Sequence, residues 1–459
     1  MTRFRPDHSW RRPLNGDTVI AGSPVKLFNL TSKGREVAER IEQRDEIDAS
    51  YIALANRFLD AGAVVPVLEP SGPEVLPLIS VVIPVYAREL RDVDRLATLL
   101  AGLDLCHEVI VVDDHSPHPV LGAVSFPANC RVVRNEWNTG PAGARNAGLA
   151  EVTTEYVAFI DADTHVDQTD LMMLASHLSN DAIVAVAPRV VGTSGGKTVL
   201  ERYEESNSPL DLGIRAARVR AGTRVSFVPS ACFIARTASV RAEGGFDPEL
   251  RTGEDVDLVW RLDSPLHWVL YESAVEIRHD ARTSMWSWLE QRRGYGRSAA
   301  SLAKRHSGAL APLSTNAWSL GIIALLASKR RVLALPLIAY TVISLARKLP
   351  SLPNRWIESA RLALLGHAHT AVGVARAIVR VWLPVAVVAA VVSKTARRIL
   401  IASVTLPALN EWVYKRPRID PIRYAGLLLL DDAAYAAGVW EGCVTEQTLA
   451  PLVPRISKP

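Results

Sequence analysis

Cysteine is scarce in this sequence, with four residues in a chain of 459. They lie far apart, at Cys106, Cys130, Cys232 and Cys443. Zinc sites and disulfide frameworks use cysteines at characteristic spacings, so this scatter argues against both and favours a reducing, cytosolic setting. The N-terminal stretch MTRFRPDHSWRRPLNG has no apolar segment behind its arginines, so no secretory signal peptide is predicted.

Net charge is also small, because 52 lysines and arginines stand against 48 acids and give +4. Averaged over the chain, this charge is too low to favour a nucleic-acid partner. Hydrophobic residues make up 49% and charged residues 22%, which is typical of a folded protein. At about 150 residues per domain, the length predicts two to four domains, and no internal repeat is visible.

Composition divides the chain into four predicted segments. They are a small winged-helix-like domain, a proline-rich linker, an α/β domain and a helical, apolar region, at residues 1–69, 70–77, 78–310 and 311–459. In the first segment, short strands at TVIAGSP and VKLFNL precede two helices. Thr31 or Ser32 is predicted to cap the first helix, and Gly62 to close the second.

Four β-branched runs mark the strands of the third segment: LISVVIPV, EVIVVDD, YVAFIDAD and AIVAVAP. Near-continuous apolar runs are typical of parallel strands that are buried on both faces. Their separation leaves room for crossover helices such as RDVDRLATLLAGL and GPAGARNAGLAEV. The pattern predicts an α/β sheet whose ligands bind at the carboxyl ends of its strands.

The third run ends in two like charges, Asp161 and Asp163. Alternation along an extended backbone directs both carboxylates to one face, where at roughly 5 Å and an effective dielectric near 20 they repel by about 3 kcal/mol. Mg²⁺ or Mn²⁺ would offset this repulsion and also bind phosphate oxygens. The alternative is that both aspartates only cap a turn before the helix DQTDLMMLASHL, as Asp113 and Asp114 would form an ordinary turn.

Two further stretches carry candidate chemistry. In NTGPAGARNAGL, small residues allow close approach of a ligand and Arg145 can contact a phosphate, unless the stretch is a plain helix start with a solvated arginine. In GEDVDLVWRL, Glu254, Asp255 and Asp257 crowd at a predicted helix start. These acids either cap the helix, which its dipole favours, or provide Asp255 as a general base.

Together these stretches, from Leu78 to His306, resemble the family 2 glycosyltransferases of the GT-A fold. The resemblance rests on VVIPVYARE, VIVVDDHS, NTGPAGARNAGL, FIDADT, GGFDPEL and GEDVDLVWRL, in the order of the family. It implies catalytic roles for Asp255 and Glu254, and a metal site made of Asp161, Asp163 and His279. It also implies a nucleotide-sugar pocket that comprises Pro84, Tyr86, Glu89, Asp113, Asp114, Gly140, Arg145, Asn146, Asp161 and Ala162.

The resemblance implies transfer of a hexose from a UDP-sugar in a single displacement with inversion. Such a reaction needs positive charge, from Mg²⁺ or Mn²⁺, on the leaving diphosphate and one carboxylate that deprotonates the acceptor. A glycosidase would instead place two carboxyl groups around the bond, without a metal on a phosphate. The aspartate pair therefore favours transfer over hydrolysis.

The layout as a whole resembles a branch of the family that adds β-linked glucose, from UDP-glucose, to a peptide-derived small redox cofactor. The N-terminal segment resembles PqqD-like domains, which bind an extended precursor peptide at a sheet edge; a purely structural appendage is the alternative. Two other interpretations stay open. One is a membrane enzyme that glycosylates a lipid or polysaccharide, and the other is a non-catalytic peptide-binding scaffold.

Acidic residues nearly vanish between 311 and 410, where Glu358 is the single acid against twelve lysines and arginines. The longest uncharged run, Val332 to Ala346, would span roughly 22 Å as a helix, short of the about 30 Å of hydrocarbon in a bilayer. The lysines and arginines on either side can extend the length that this run spans, and their positive charge favours contact with an anionic membrane leaflet. We therefore predict association with the cytoplasmic side of the cell membrane, peripheral or through short spans, with a soluble helical bundle as the alternative.

Overall fold

The computed structural model describes residues 2–13, 17–67, 78–104, 106–124, 126–193, 195–281 and 284–457. The predicted linker, 70–77, lies outside these residues. The chain forms two compact units, each described by itself below. The first comprises Met1–Arg11, Val19–Ser194 and Asn207–Ala281, and the second comprises Arg12–Thr18, Gly195–Ser206 and Arg282–Pro459.

The strands, in chain order, are β1 (Thr2–Pro6), β2 (Thr18–Ala21), β3 (Lys26–Asn29), β4 (Glu46–Ile47), β5 (Val64–Pro66), β6 (Ile79–Val85), β7 (Glu108–Asp113), β8 (Cys130–Arg134), β9 (Tyr156–Ile160), β10 (Thr164–His165), β11 (Ile183–Thr193), β12 (Ala217–Val219), β13 (Cys232–Arg236), β14 (Trp268–Asp280), β15 (Ser314–Asn316) and β16 (Arg455–Ser457). The helices are α1 (Ser32–Gln43), α2 (Ile52–Asp60), α3 (Leu90–Ala101), α4 (Gly140–Glu151), α5 (Gln168–Ala175), α6 (Val199–Asn207), α7 (Thr237–Ala242), α8 (Glu254–Leu262), α9 (Met285–Arg305), α10 (Ala317–Ala327), α11 (Arg331–Lys348), α12 (Arg355–Arg380), α13 (Leu383–Val392), α14 (Lys394–Lys415) and α15 (Pro421–Thr445).

A nine-stranded sheet forms the centre of the first unit, in the order β10-β14-β11-β13-β9-β6-β7-β8, with β12 on β14. Strands β7, β6 and β9 are parallel neighbours, as the first three apolar runs predict. The fourth run, β11, does not pair with them, because β13 lies between and runs antiparallel to both β9 and β11. The α/β fold class is confirmed, and its sheet is mixed.

Both faces of this sheet are buried, which explains why its strands are continuous apolar runs. Along β6, Val81 and Ile83 face one core cluster and Val82 faces the other. Along β9 the same alternation assigns Ile160 to the first cluster and Phe159 to the second. Successive side chains of a strand point to opposite faces, so a strand covered on both sides needs apolar residues throughout.

The N-terminal segment combines a three-stranded sheet, ordered β4-β1-β5, with α1 and α2. Thr31 caps α1, because its side chain accepts a hydrogen bond from Gly34 N at 3.2 Å. A buried arginine joins this segment to the rest of the first unit: Arg218 donates to Asp60 at 2.5 Å and to Asp263 at 2.6 Å. The segment is thus held by paired charges as well as by apolar packing.

The second unit is a set of helices, α9 to α15, together with α6 and the short parallel pair β15 and β16. Its tightest helix pair is α9 and α15, which approach at glycines. A Cβ atom built on Gly296 would lie 2.1 Å from Tyr435 O, and one on Gly438 would lie 2.0 Å from Arg293 O. The glycines therefore allow backbone-to-backbone contact that larger residues would prevent.

This contact predicts opposite effects for two alanine substitutions in α15. Gly438→Ala should lower the free energy of unfolding by about 1–3 kcal/mol, because the new methyl group overpacks the helix pair. Gly426→Ala is the matched control, since nothing lies within 4 Å of its Cβ position, and it should raise stability by about 0.5–1 kcal/mol through helix propensity. Thermal unfolding followed by circular dichroism compares the two. Equal shifts would contradict the close contact.

Candidate active site

The aspartates that end β7 hold the loops around the strand ends. Asp113 is fully buried, accepts a hydrogen bond from Ser116 N at 2.8 Å and pairs with Arg134. Asp114 accepts hydrogen bonds from Thr139 N at 2.9 Å and from Gly140 N at 2.8 Å. The carboxylate of Asp114 therefore fixes the start of α4, and its predicted contact with a nucleotide stays a prediction.

The predicted pocket residues after β6 differ in exposure. Pro84 lies within β6 and is half-buried, whereas Tyr86 is 40% exposed with the Arg88 guanidinium 5.3 Å from its ring centre. Glu89 precedes α3, is exposed and pairs with Arg91 at 3.0 Å. The exposed ring of Tyr86 is therefore accessible to a ligand, as a stacking surface must be.

The Asp161 and Asp163 side chains do not cap the helix that follows them. Helix α5 is capped instead by Asp167, whose carboxylate accepts from Asp170 N at 3.0 Å. Asp161 accepts a hydrogen bond from Arg145 Nη2 at 2.6 Å, and Asp163 Oδ1 lies 3.3 Å from His279 Nε2. Each carboxylate therefore has a nitrogen partner away from the cap of α5, and the metal site stays a prediction.

Strand pairing explains why His279 reaches this site. Strand β10 follows the aspartates directly and pairs antiparallel with the end of β14, so that Thr164 lies opposite His279. Ala162, between the two aspartates, packs against the core. The sequence pattern brings Asp161, Asp163 and His279 into one region of the fold, as predicted for the metal site.

The donor types in this region fit a divalent cation, because carboxylate oxygens suit Mg²⁺ and Mn²⁺ and imidazole is a common metal ligand. In the described ranges, however, no three His, Cys, Asp or Glu side chains are already grouped as metal ligands. Asp161 is paired with Arg145 at 2.6 Å. Burial raises the pKa of Asp161, Arg145 opposes this shift and the neighbouring Asp163 adds to it.

Arg145 is the buried centre of the site. Its guanidinium donates to Asp161 at 2.6 Å and to Glu254 at 2.8 Å, and it lies 5.3 Å from the ring centre of Phe246. Burial alone would lower the pKa of Arg145, but the two carboxylates outweigh it and raise this pKa. Because one cation satisfies both acids, Arg145 connects the aspartate motif after β9 to the start of α8.

Asn146, the next residue, holds the loop that leads to α8. Its Nδ2 donates to Phe246 O at 2.6 Å, and its Oδ1 accepts from Phe246 N at 2.9 Å. Gly245 allows this approach, because it has a φ of +72° and a Cβ there would lie 2.5 Å from Asn146 Oδ1. Asn146 is thus an anchor for the loop, and a direct contact with a ligand stays a prediction.

Helix α8 begins with two acids in different surroundings. The N-cap is Gly253, Glu254 is buried against Arg145, and Asp255 is half-buried. Asp255 accepts hydrogen bonds from Val256 N at 2.8 Å and from Ser230 N at 3.2 Å. Burial, followed by the charge of Glu254, raises the pKa of Asp255 to about 7.

A carboxylate with a pKa near neutrality is matched to general-base chemistry at physiological pH. Asp255 meets this condition, whereas Glu254 is occupied by Arg145. Sequence reasoning did not identify Ser230 or Phe246 as parts of the site. Ser230 precedes β13, a strand that was not predicted, so its amide had no visible link to α8.

A mixed sheet of this order, with an aspartate pair at a strand end and an acidic helix start, agrees with the arrangement that the resemblance to glycosyltransferases of the GT-A fold implies. The family profile described as "Glycosyl transferase family 2" matches residues 80–242. The chain belongs to this family, which confirms the prediction. Over 458 residues it is 36% identical to the pre-mycofactocin glycosyltransferase of Mycobacterium tuberculosis (strains CDC 1551 / Oshkosh and ATCC 25618 / H37Rv), covering 96% of this chain and 95% of the relative.

Two solved structures show distant likeness. Staphylococcus aureus TarS 1-349 in complex with UDP is 21% identical, with 48% of this chain and 65% of that chain covered and a TM-score of 0.33. The mannosyltransferase PcManGT from Pyrobaculum calidifontis, in complex with GDP-Man and Mn²⁺, is 15% identical, with 66% and 88% covered and a TM-score of 0.40. Likeness at this level carries no information about the ligands of this chain.

Proposed function

We propose that this glycosyltransferase transfers glucose from UDP-glucose, with inversion, to a peptide-derived small molecule of the pre-mycofactocin type and builds a β-linked oligosaccharide. The observation that carries the proposal is the similarity to the pre-mycofactocin glycosyltransferase, which extends over 96% of the chain and includes its N-terminal and C-terminal segments. Similarity confined to the catalytic domain would leave the acceptor open, because a fold hosts many functions.

The geometry supports one base and one displacement. Asp255 takes the proton from an acceptor hydroxyl as its oxygen bonds to the anomeric carbon of the sugar, and the bond from that carbon to the diphosphate breaks so that UDP leaves. Arg145 holds Asp161 and Glu254 in place during this step. Mg²⁺ or Mn²⁺, held by Asp161, Asp163 and His279, would supply positive charge to the leaving diphosphate.

Mass spectrometry of the acceptor tests the proposal. The full chain is incubated with pre-mycofactocin and UDP-glucose, and in parallel with UDP-galactose, UDP-N-acetylglucosamine or GDP-mannose. We expect products that grow by hexose units with UDP-glucose, together with release of UDP that depends on the acceptor. Sugar transfer to a lipid or polysaccharide fraction but not to pre-mycofactocin would favour the membrane-polysaccharide alternative, and no turnover with any donor would favour the scaffold.

The raised pKa of Asp255 predicts a pH dependence. A general base acts only when it is deprotonated, so kcat/KM should rise tenfold per pH unit below about pH 7 and level off above it. Initial rates between pH 5 and pH 9 would show this limb. A rate that is already constant at pH 5 would mean that Asp255 ionises at its usual pKa, or that another group takes the proton.

We propose further that the N-terminal segment binds a precursor peptide. Its three-stranded sheet ends on one side at β4, a two-residue strand that pairs with β1 through Thr2–Ile47 and Arg3–Glu46. An extended peptide can pair with the edge strand of a sheet. Titration calorimetry of the full chain with synthetic precursor peptide tests this step. Heat of binding equal to that of a scrambled peptide would contradict it.

We also propose that the second unit associates with the cytoplasmic side of the cell membrane. Among the described residues, α12 is the one helix that is long and apolar enough to cross a bilayer, and α10 and α13 are shorter apolar helices. The longest uncharged run of the sequence, Val332 to Ala346, lies in α11, which has Pro336 inside the helix. Apolar side chains are exposed to solvent, including Val332 at 82% and Val392 at 84%, which favours contact with lipid.

Sedimentation with vesicles measures this association. The protein should bind vesicles that contain phosphatidylglycerol more tightly than pure phosphatidylcholine vesicles, because lysines and arginines dominate residues 311–410. If α12 inserts, a fraction should stay bound in 1 M salt, where charges are screened beyond about 3 Å. Protein that remains in the supernatant with both vesicle types would support the soluble-bundle alternative.

A further inference from the structure

A cavity of about 810 Å³ lies within the second unit, between α10, α12 and α14. Its walls are largely apolar and include Ile323, Val372, Ile399 and Leu406. The volume falls in the range of about 300–1,000 Å³ that is typical of sites for small molecules. It does not belong to the candidate active site, whose residues all lie in the first unit.

Three cationic side chains line the same cavity: Lys329, Arg376 and Arg398. Arg376 is neutralised by Glu411 at 2.7 Å. Lys329 and Arg398 have no carboxylate partner in the parts of the chain that the structure describes. The cavity wall, as far as it is described, includes no Asp or Glu. An open, largely apolar groove that carries two exposed cations without a carboxylate partner is complementary to a ligand that combines an apolar body with an anionic group.

This combination separates the classes of ligand. A purely apolar ligand would form no ion pair with the two exposed cations, and a small inorganic anion would leave the apolar walls in contact with water. A basic pocket between apolar helices is also the arrangement that holds anionic lipid headgroups at the cytoplasmic face of membrane proteins. We propose that this cavity, here called the α10–α12–α14 groove, binds one anionic phospholipid, with its phosphate at Lys329 and Arg398 and an acyl chain along the apolar walls.

Native mass spectrometry of the full chain in detergent tests the groove directly. Delipidated protein is titrated with phosphatidylglycerol, with phosphatidylcholine of the same acyl chains, with oleate and with inorganic phosphate. We expect one phosphatidylglycerol per chain, bound about tenfold more tightly than phosphatidylcholine or oleate, and no bound inorganic phosphate. Equal binding of both phospholipids would overturn the proposed charge recognition. Equal binding of oleate would overturn the phosphate as the recognised group.

Two sets of variants show whether the lipid is bound in the groove. Lys329→Ala with Arg398→Ala should reduce the affinity for phosphatidylglycerol about tenfold, whereas Arg361→Ala with Lys394→Ala removes the same charge from positions that do not line the groove and should have no effect. Ala402→Phe, which narrows the groove with both cations in place, should weaken retention of the lipid. Equal losses in the two double variants, or undiminished retention by a folded Ala402→Phe protein, would overturn the site.

Because the readout is bound lipid, this test is independent of glycosyl transfer and of recruitment to vesicles. A protein that transfers glucose but retains no phosphatidylglycerol would refute the groove and leave the proposed function intact. A protein that binds the lipid but transfers no glucose would refute the proposed function and leave the groove intact.

Discussion

Replacing Asp255 with asparagine is expected to lower kcat by about 10²–10⁴-fold, the usual contribution of a general base. Asparagine keeps the shape of the side chain, and its one oxygen can still accept from Val256 N or Ser230 N, to which the aspartate bonds at 2.8 and 3.2 Å. It cannot take a proton from the acceptor. The rate of UDP release in the presence of acceptor gives kcat, and its dependence on donor concentration gives the donor KM. The donor KM should change little, because binding of the donor does not need the base.

Glu249→Gln provides the matched control for Asp255→Asn. Glu249 is an exposed acid in the loop that precedes α8, and none of the site contacts found among the described residues involves its side chain. Both variants replace a carboxyl group by an amide in the same part of the chain, so a general effect of this replacement would lower both activities. If Asp255→Asn kept more than about a tenth of the wild-type kcat, with an unchanged unfolding transition, another residue would have to act as base.

The parallel core of the sheet was predictable because burial on both faces is visible in the residues of each strand. A strand that is buried on both faces has apolar side chains at nearly every position, and β6, β7 and β9 follow this rule apart from Ser80, Glu108 and Asp113. β13 is also buried on both faces, with Cys232 and Ile234 in one core cluster and Phe233 in the other. Its antiparallel position between β9 and β11 is not visible in the sequence, because it is decided by pairing with strands that are distant along the chain.

In the candidate site, too, contacts between residues that are close in sequence were predictable, and contacts between residues that are distant in sequence were not. The proximity of Asp161 and Asp163 follows from their spacing in the chain, and the acidic start of α8 is visible in GEDVDL. The partners of Arg145 are not visible, because its bond to Glu254 joins residues 109 positions apart. A long side chain in a helix start is compatible with solvent, phosphate or carboxylate, and only the packed structure selects among them.

Replacing Arg145 with methionine is expected to lower the free energy of unfolding of the first unit by about 3–5 kcal/mol, because it leaves the buried Glu254 and the partly buried Asp161 without their shared cation. Asp161 and Glu254 would both lose their cation, and the contact with the Phe246 ring would be lost as well. Guanidinium unfolding, detected through hydrogen exchange of the backbone amides in β6 and β9, measures the stability of this unit. The donor KM should also rise, since Asp161 would lose its position.

Arg131→Met is the control that separates the effect of burial on stability from the effect of removing an arginine. Arg131 also bridges two carboxylates, Glu108 at 2.9 Å and Glu151 at 2.7 Å, but its side chain is 39% exposed. Exposed pairs contribute about 0–1 kcal/mol, because water screens them and solvates each partner after the other is removed. The two variants thus remove the same group from the same number of acids in one unit. Similar losses for both would mean that Arg145 acts only as a surface ion pair, and that the link from Asp161 to α8 does not hold the site together.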